Sequence, residues 1–451
     1  MAWPIDAGSG IASEAPGTGT MNIRPASLIA YGALGLPLAM VALPIYVLAP
    51  AYYTSRLGMP LSTAGLVLML TRLVDTVQDP WLGRWADALA GSRRLHPALW
   101  ATSLCLIAAF AALWMPPVSG WALTAWFAAA LVLVYAAHSF MNVAYLAWGA
   151  SLGLNCDALT RAAAWREGAG VLGVLIASAG PAWLMERDDL APRNAMIPFI
   201  ALFAILLIGA VWLLRFAPPW QRMPPGRTGR SGHRGLRPFI VSVARTVLRN
   251  PSFRMLLVPY FLNGLSVAIP ATLAVFFIED RLGIPRWVTP SLAIYFSAAA
   301  LGLPVWVGIS RRIGPQRAWR AAIWVAIAAF VWAATLGRGD VVPFLVICVA
   351  CGFALGADLA IPPVILAQCL PDGEGAGACF GIWTLTGKLC LAISALTLPG
   401  LAWLGYVPGF PATGIPGMAL AFTYAGLPCL LKLGALSTLQ MPSRLVSEEL
   451  Q

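Results

Sequence analysis

The stretch Arg72–Asp87, "RLVDTVQDPWLGRWAD", decides how this chain is read. It continues the apolar run "AGLVLMLT" at 64–71, yet Arg72, Asp75 and Asp79 follow within two helical turns. Their spacing puts all three on one helix face. A charge at mid-membrane costs roughly 3 kcal/mol even on lenient scales, so such residues face a cavity or a partner. Two readings fit. Arg72 and Asp75 form a structural ion pair that locks a helix bundle. Alternatively Asp75 and Asp79, one turn apart, repel each other until a cation or proton lies between them. Oxygen pairs of this kind suit a hard cation such as Na⁺, or a shared proton.

The surrounding composition makes the lipid setting unavoidable. Of 451 residues, 59% are hydrophobic and only 10% charged, and the mean hydropathy is +0.78. A soluble domain would have too little polar surface to cover such a core, whereas a protein whose outer face meets hydrocarbon needs little. The first 25 residues are rich in Gly, Ser and Pro, with no apolar run fit for a cleaved signal. They read as a disordered cytoplasmic tail, with Met21 as an alternative start. Eight cysteines lie mostly in apolar surroundings, and only the bare "CVAC" of Cys348 and Cys351 approaches a motif. Inside an apolar helix these are small buried thiols rather than a metal or redox site.

Apolar runs of about 20 residues mark spans. Twelve are expected, near 26–54, 59–88, 97–116, 121–150, 160–184, 195–217, 253–279, 287–310, 317–336, 341–370, 376–404 and 413–440. The long basic connection "PPWQRMPPGRTGRSGHRGLRP" divides them, giving an N-terminal six-helix bundle at 26–217, a loop at 218–252, a second bundle at 253–440 and a short tail at 441–451. Arginines recur in alternate connections (Arg84, Arg93 and Arg94; Arg161; Arg311, Arg312, Arg317 and Arg320) on the side of the long loop. The positive-inside rule makes that side and both termini cytoplasmic. The net charge of +11 is thus a topology signal directed at a lipid surface, and no nucleic-acid partner is expected. "DPWLGRWADALAGSRR" after the second span has a degenerate echo in "GLPVWVGISRRIGPQR" after the eighth. Two repeated halves suggest a transporter with its site between them.

Here a resemblance enters. "GRWADALAGSRR" resembles the loop motif of the major facilitator superfamily, in which Gly83 would allow close helix approach, and Asp87 with Arg93 and Arg94 would form a charge latch; a solvated loop is the plainer alternative. "RLVDTVQDPWLGRWAD" resembles the signature of the glycoside–pentoside–hexuronide:cation symporters, the melibiose permease-like family. The likeness extends to "YGALG", "AYYTSRLG", "NVAYLAW", "TRAAAWREGAG", "GADLAIPPVILA" and "FGIWTLTGKLCLA", nearly the whole chain. It implies an all-α membrane protein, twelve transmembrane helices in two six-helix bundles of the major facilitator fold, rocking about a mid-membrane site. By the same resemblance Asp75 and Asp79 are the cation-site carboxylates, binding Na⁺ if not H⁺, with Ser139 assisting. Arg166 faces the solute, and Lys388 matches a lysine of the eleventh span. Lys388 and Lys432 are the two lysines of the chain. An ammonium within an apolar helix needs a carboxylate or a substrate; Asp358 in the tenth span is the expected partner, with a solute-linked role as the alternative.

Departures from the family pattern bear on the solute. Ala39 stands at the place of one sugar-binding aspartate, Asn142 at that of a second, and Leu146 at that of a stacking tryptophan. The cation half is expected to be intact and the galactoside half is not. Asn142, Tyr145, Arg166, Lys388 and Trp383 are the candidate solute residues, with His138, Glu167, Asn263, Ser266 and Thr386 nearby; His138 reads as a packing histidine. Trp100, Trp114, Trp121 and Trp126 are expected in interfacial belts. The expected activity is cation-coupled symport (Na⁺ or H⁺, no other cofactor) of a sugar, glycoside or related small polar solute. The expected setting is the cell (inner) membrane, as a monomer containing its own pathway. The alternatives are a transporter of lysolipid-like amphiphiles and a non-transporting membrane sensor. No constellation supports an enzyme.

Overall fold

The computed structural model describes residues 25–89, 92–151, 156–185, 196–219, 251–369 and 376–439. Most of the expected tails and of the 218–252 loop lie outside these residues. Twelve long helices follow one another among the described residues. They are α1 (Ala26–Arg56), α2 (Leu61–Leu89), α3 (Leu95–Trp114), α4 (Trp121–Ser151), α5 (Cys156–Met185) and α6 (Ile197–Phe216). The second set is α7 (Phe253–Arg281), α8 (Pro285–Ile313), α9 (Pro315–Ala333), α10 (Val341–Cys369), α11 (Ala376–Ser394, resumed as Thr397–Trp403) and α12 (Gly414–Thr438).

Nine of these helical segments are apolar enough to cross a membrane on length and composition alone. The exceptions are α2, α5 and α9. The first two carry charges in mid-helix, Asp75 and Asp79 on α2 and Arg166 and Glu167 on α5, while α9 opens with "PQRAWR". Such helices survive in lipid only when their polar faces are covered by neighbours or line a cavity. Of the three, α2 carries its carboxylates into the contact with the second half, whereas the arginines of α9 lie in its first turns.

Within the first half α2 packs on α4, α1 on α5, and α3 on α4 and α6; within the second α8 and α9 pack on α10, and α7 on α11 and α12. Hydrocarbon supplies no hydrophobic drive between helices, so close backbone approach through small residues matters. A Cβ on Gly356 would stand 2.6 Å from the Leu303 amide nitrogen, which shows how tightly α8 and α10 meet. Pro44 removes a ladder donor in α1, and there the helix widens into a π-turn, Pro44–Leu48, followed by a second at Tyr52–Arg56. Tyr52 and Tyr53 anchor this distorted end by donating to the Trp114 and Leu113 carbonyls at 3.1 and 2.6 Å. Trp114 itself is fully buried and Trp126 donates to the Ala112 carbonyl. These two tie helices together rather than forming an interfacial belt, whereas Trp121 is 88% exposed.

The halves meet through α2 with α11, α5 with α8 and α1 with α7. Along α2 and α11 the contact runs from mid-helix to the end opposite the 218–252 connection. Lys388 reaches Asp75 and Asp79, Arg72 reaches the Leu391 carbonyl, and a Cβ on Gly65 would lie 2.5 Å from Pro399 Cδ. In the other direction α2 and α4 carry exposed groups, among them Trp85, Asn142 and Leu146. Asn142 and Leu146 share the Ser139 face of α4, at i+3 and i+7. Along this seam the halves are in contact from mid-helix to the end opposite the connection.

Candidate functional site

Two helices of the first half and one of the second build the central cluster. Their register brings Asp75 and Asp79 on α2, Ser139 on α4 and Lys388 on α11 to one point. Lys388 Nζ lies 2.9 Å from Asp75 Oδ2 and 2.7 Å from Asp79 Oδ2, with Asp79 Oδ1 at 2.8 Å. Ser139 Oγ donates to Asp75 Oδ1 at 2.6 Å and accepts from Lys388 at 3.2 Å. Gln78 Nε2 donates to the same Asp75 oxygen at 3.0 Å. Asp75 is nearly inaccessible, with 9% of its side chain exposed, while Asp79 and Lys388 retain 26% and 22%. The accessible edge of the cluster is therefore formed by Asp79 and Lys388.

Two carboxylates and one ammonium leave one formal negative charge in the contact set. Arg72 does not neutralise it. Its guanidinium is buried, donates to the Leu391 carbonyl and lies 3.5 Å from Ser394 Oγ. It also sits 5.0 Å from the centre of the Tyr46 ring. No Arg72–Asp75 ion pair forms, so the lock between these two residues is replaced by a lock between the halves.

The expected pairing of Lys388 with Asp358 is also corrected. Asp358 on α10 accepts from Trp319 Nε1 at 2.8 Å and faces Lys432 of α12 at 3.5 Å. Lys432 in turn donates to Asn263 Oδ1 at 2.7 Å, and Ser266 Oγ donates to the Asn263 carbonyl. Asn263 and Ser266 thus belong to a buried cluster inside the second half, not to the central one. α7 separates α11 from α12, and each lysine takes the carboxylate on its own side. The intramembrane Lys432 in "LPCLLKLGAL" was a legible signal by the same rule that singled out Lys388.

The remaining candidates divide. Asn142 is exposed and Arg166 half-buried. Tyr145 is a correction: it is 2% exposed, donates to the Gly32 carbonyl at 3.1 Å and packs its ring on Tyr31, fastening α4 to α1. Trp383 is buried and stacked on Tyr260, ring centres 3.4 Å apart. Thr386 donates to the carbonyl of Ile382 on its own helix. His138 Nε2 lies 3.1 Å from the Leu38 carbonyl, a packing role. The side chains of Gly83, Asp87 and Glu167 lie outside those described; Arg93 and Arg94 are exposed in the turn before α3.

Near Ala39, itself half-buried, α1 and α5 touch through a glycine: a Cβ on Gly173 would stand 2.2 Å from the Leu36 carbonyl oxygen and 3.1 Å from the Ala39 methyl.

Among the described residues no group of three or more His, Cys, Asp or Glu could hold a metal ion. The central carboxylates and Ser139 offer hard oxygen donors, and the cation they hold in this arrangement is the Lys388 ammonium.

Comparison with known proteins agrees with this architecture. A family model described as MFS/sugar transport protein matches residues 28–442. No curated protein matches the chain. Among solved structures, the nucleoside transporter NupG superposes with a TM-score of 0.65 at 15% identity, covering 94% of this chain and 100% of that one. A bacterial homologue of the iron transporter ferroportin in its inward-facing state gives 0.64 at 14% identity, covering 93% and 100%. A bacterial homologue of the human lysosomal transporter Spinster, inward-facing and unoccupied, gives 0.60 at 15% identity, covering 92% and 93%. At these identities the likeness establishes the fold.

Proposed function

The chain belongs to the MFS/sugar transport protein family, and from that premise we propose a cation-coupled symporter of a sugar, glycoside or related small polar solute. Family membership already makes it an integral membrane transporter of small molecules and not an enzyme. The finer reading adds Na⁺ or H⁺ coupling, the cell (inner) membrane, both termini and the 218–252 loop in the cytoplasm, and a monomer that works by alternating access.

One observation carries it: the Lys388 ammonium is clamped between Asp75 and Asp79 across the seam between the halves. The lysine is a tethered monovalent cation on carboxylates that can hold another. Binding Na⁺ or H⁺ cancels the residual negative charge and loosens the hold on Lys388. The ammonium is then free to leave the carboxylates, and Asn142 and Arg166 are the candidate solute contacts. Coupling arises because cation and solute favour the same arrangement, and that coupling is reciprocal. The test is uptake in proteoliposomes under an imposed Na⁺ or pH gradient. Asp75→Asn and Asp79→Asn should each abolish ion-stimulated uptake, and unchanged ion dependence in both would overturn the assignment.

A second reading, an amphiphile transporter, is favoured by a single residue. Leu146 is 42% exposed on the helix face that carries Ser139 and Asn142, which gives that face an apolar stretch. A lysolipid that competes with uptake while sugars do not would favour it.

A further inference from the structure

The turn between α8 and α9 reads "RRIGPQRAWR", residues 311–320, and its four arginines are all exposed. α8 ends at Ile313 and Pro315 opens α9, so Gly314, at φ +84°, is the whole corner and the basic ends of the two helices adjoin. Among the described residues no ion pair involves Arg311, Arg312 or Arg320. The sequence has no Asp or Glu between Asp280 and Asp340 that could supply one locally. α9 packs on α8, α10 and α12 and leaves one face uncovered. That face carries Arg317, Arg320, Trp324, Ala328 and Val331, spaced three or four apart, with Trp324 and Val331 each 56% exposed. Its polarity is ordered: guanidinium at the end, indole one turn further, aliphatic carbon beyond. Arg320 to Val331 spans about 17 Å at roughly 1.5 Å per residue, against about 15 Å for one leaflet of the hydrocarbon core. The stripe has the polarity profile and the length of a single phospholipid.

We propose that the α8–α9 corner holds one anionic phospholipid, its phosphate among Arg311, Arg312 and Arg320 and an acyl chain along Trp324 and Val331. A guanidinium meets phosphate oxygens through paired N–H donors. A zwitterionic headgroup brings an ammonium of its own into a corner with no carboxylate to receive it, whereas phosphatidylglycerol brings none. Tryptophan suits the boundary, where its ring meets acyl chain and its N–H meets the headgroup. The lipid belongs to the leaflet on the side of the 218–252 connection. The claim needs only the membrane setting of the family and is independent of the symport reading.

The test titrates the purified full chain in detergent with phosphatidylglycerol or phosphatidylcholine and counts bound lipid by native mass spectrometry. One phosphatidylglycerol should bind at lower concentration than phosphatidylcholine and raise the apparent melting temperature, and added salt should weaken it. Arg312→Gln with Arg320→Gln should weaken that binding about thirtyfold. Arg93→Gln with Arg94→Gln, which removes equal charge from the same side, should leave it unchanged, and Trp324→Ala should weaken both lipids alike. Equal affinity of the parent chain for the two lipids, or an equal loss in the Arg93 and Arg94 variant, would reduce the effect to general charge and overturn the site. Stabilisation by inorganic phosphate to the same extent would assign the corner to a free anion. A lipid-free dimer that Trp324→Ala dissociates would assign the face to a second copy of the chain. Either result overturns the lipid. Should the glutamine variant fold poorly, the preference of the parent chain between the two lipids decides, and failure of the site leaves the ion-dependence experiment untouched.

Discussion

Lys388 Nζ and Ser139 Oγ lie 3.2 Å apart although they belong to different halves of the molecule. The serine proton is committed to Asp75, so its oxygen lone pair faces the ammonium. Ser139→Ala removes a donor to one charged group and an acceptor for another. Hydrogen bonds to charged groups contribute roughly 1.5–3 kcal/mol, so the concentration of coupling ion for half-maximal uptake should rise about tenfold or more. An unchanged ion requirement in proteoliposome uptake would show that the serine only packs.

Replacing Lys388 with Gln leaves two carboxylates one turn apart with no counter-ion. Breaking a fully buried pair costs roughly 3–5 kcal/mol; partial exposure of Lys388 and Asp79 reduces that to about 1–3 kcal/mol by solvent screening. Thermal unfolding should show the loss, and Asp79→Asn in the same chain should recover most of it. Recovery of stability without recovery of ion-stimulated uptake is the expected pair of results.

The Asp358–Lys432 cluster is enclosed by the second half, so its variants should separate stability from transport. Lys432→Met alone leaves the Asp358 carboxylate with the Trp319 donor only, and a loss of about 3–5 kcal/mol is expected. Lys432→Met with Asp358→Leu should return to within about 1 kcal/mol of the starting stability while keeping uptake. A double variant that folds well yet has lost ion coupling would place this cluster in the transport cycle.

Gly65 tests the shut face directly. A leucine there would thrust side-chain atoms into Pro399 and Leu398, so α2 and α11 could not close. Spin labels replacing the exposed Arg93 and Arg311, on the side of the 218–252 connection, should then report shorter distances than in the parent chain, because closure moves to that side. An identical distance distribution would mean that the contact at Gly65 does not govern the shut face.

Much of the architecture was legible because lipid imposes long apolar helices, and their limits can be read from hydropathy to within a few residues for most spans. The charged face of α2 was legible for the same reason: Asp75 and Asp79 are conspicuous where carboxylates are costly. Pairing was not. Lys388 and Lys432 were equally visible, as was Asp358, but which ammonium meets which carboxylate depends on helix order around the bundle. Sequence spacing carries no information on that order, and α7 intervenes between the two lysine helices. Tyr145 illustrates a second gap. It lies three residues beyond Asn142, yet its hydroxyl turns to the Gly32 carbonyl, since the sixty-degree offset between positions three apart is enough to move a side chain from cavity to seam.

The glycine contact of α5 with α1 decides which positions of this chain are free to vary. A Cβ on Gly173 would stand 2.2 Å from the Leu36 carbonyl oxygen and 3.1 Å from the Ala39 methyl, so any larger residue there would drive the two helices apart and loosen the first bundle. Gly173 acts as a keystone: its neighbours can change around it, but it cannot change before they do.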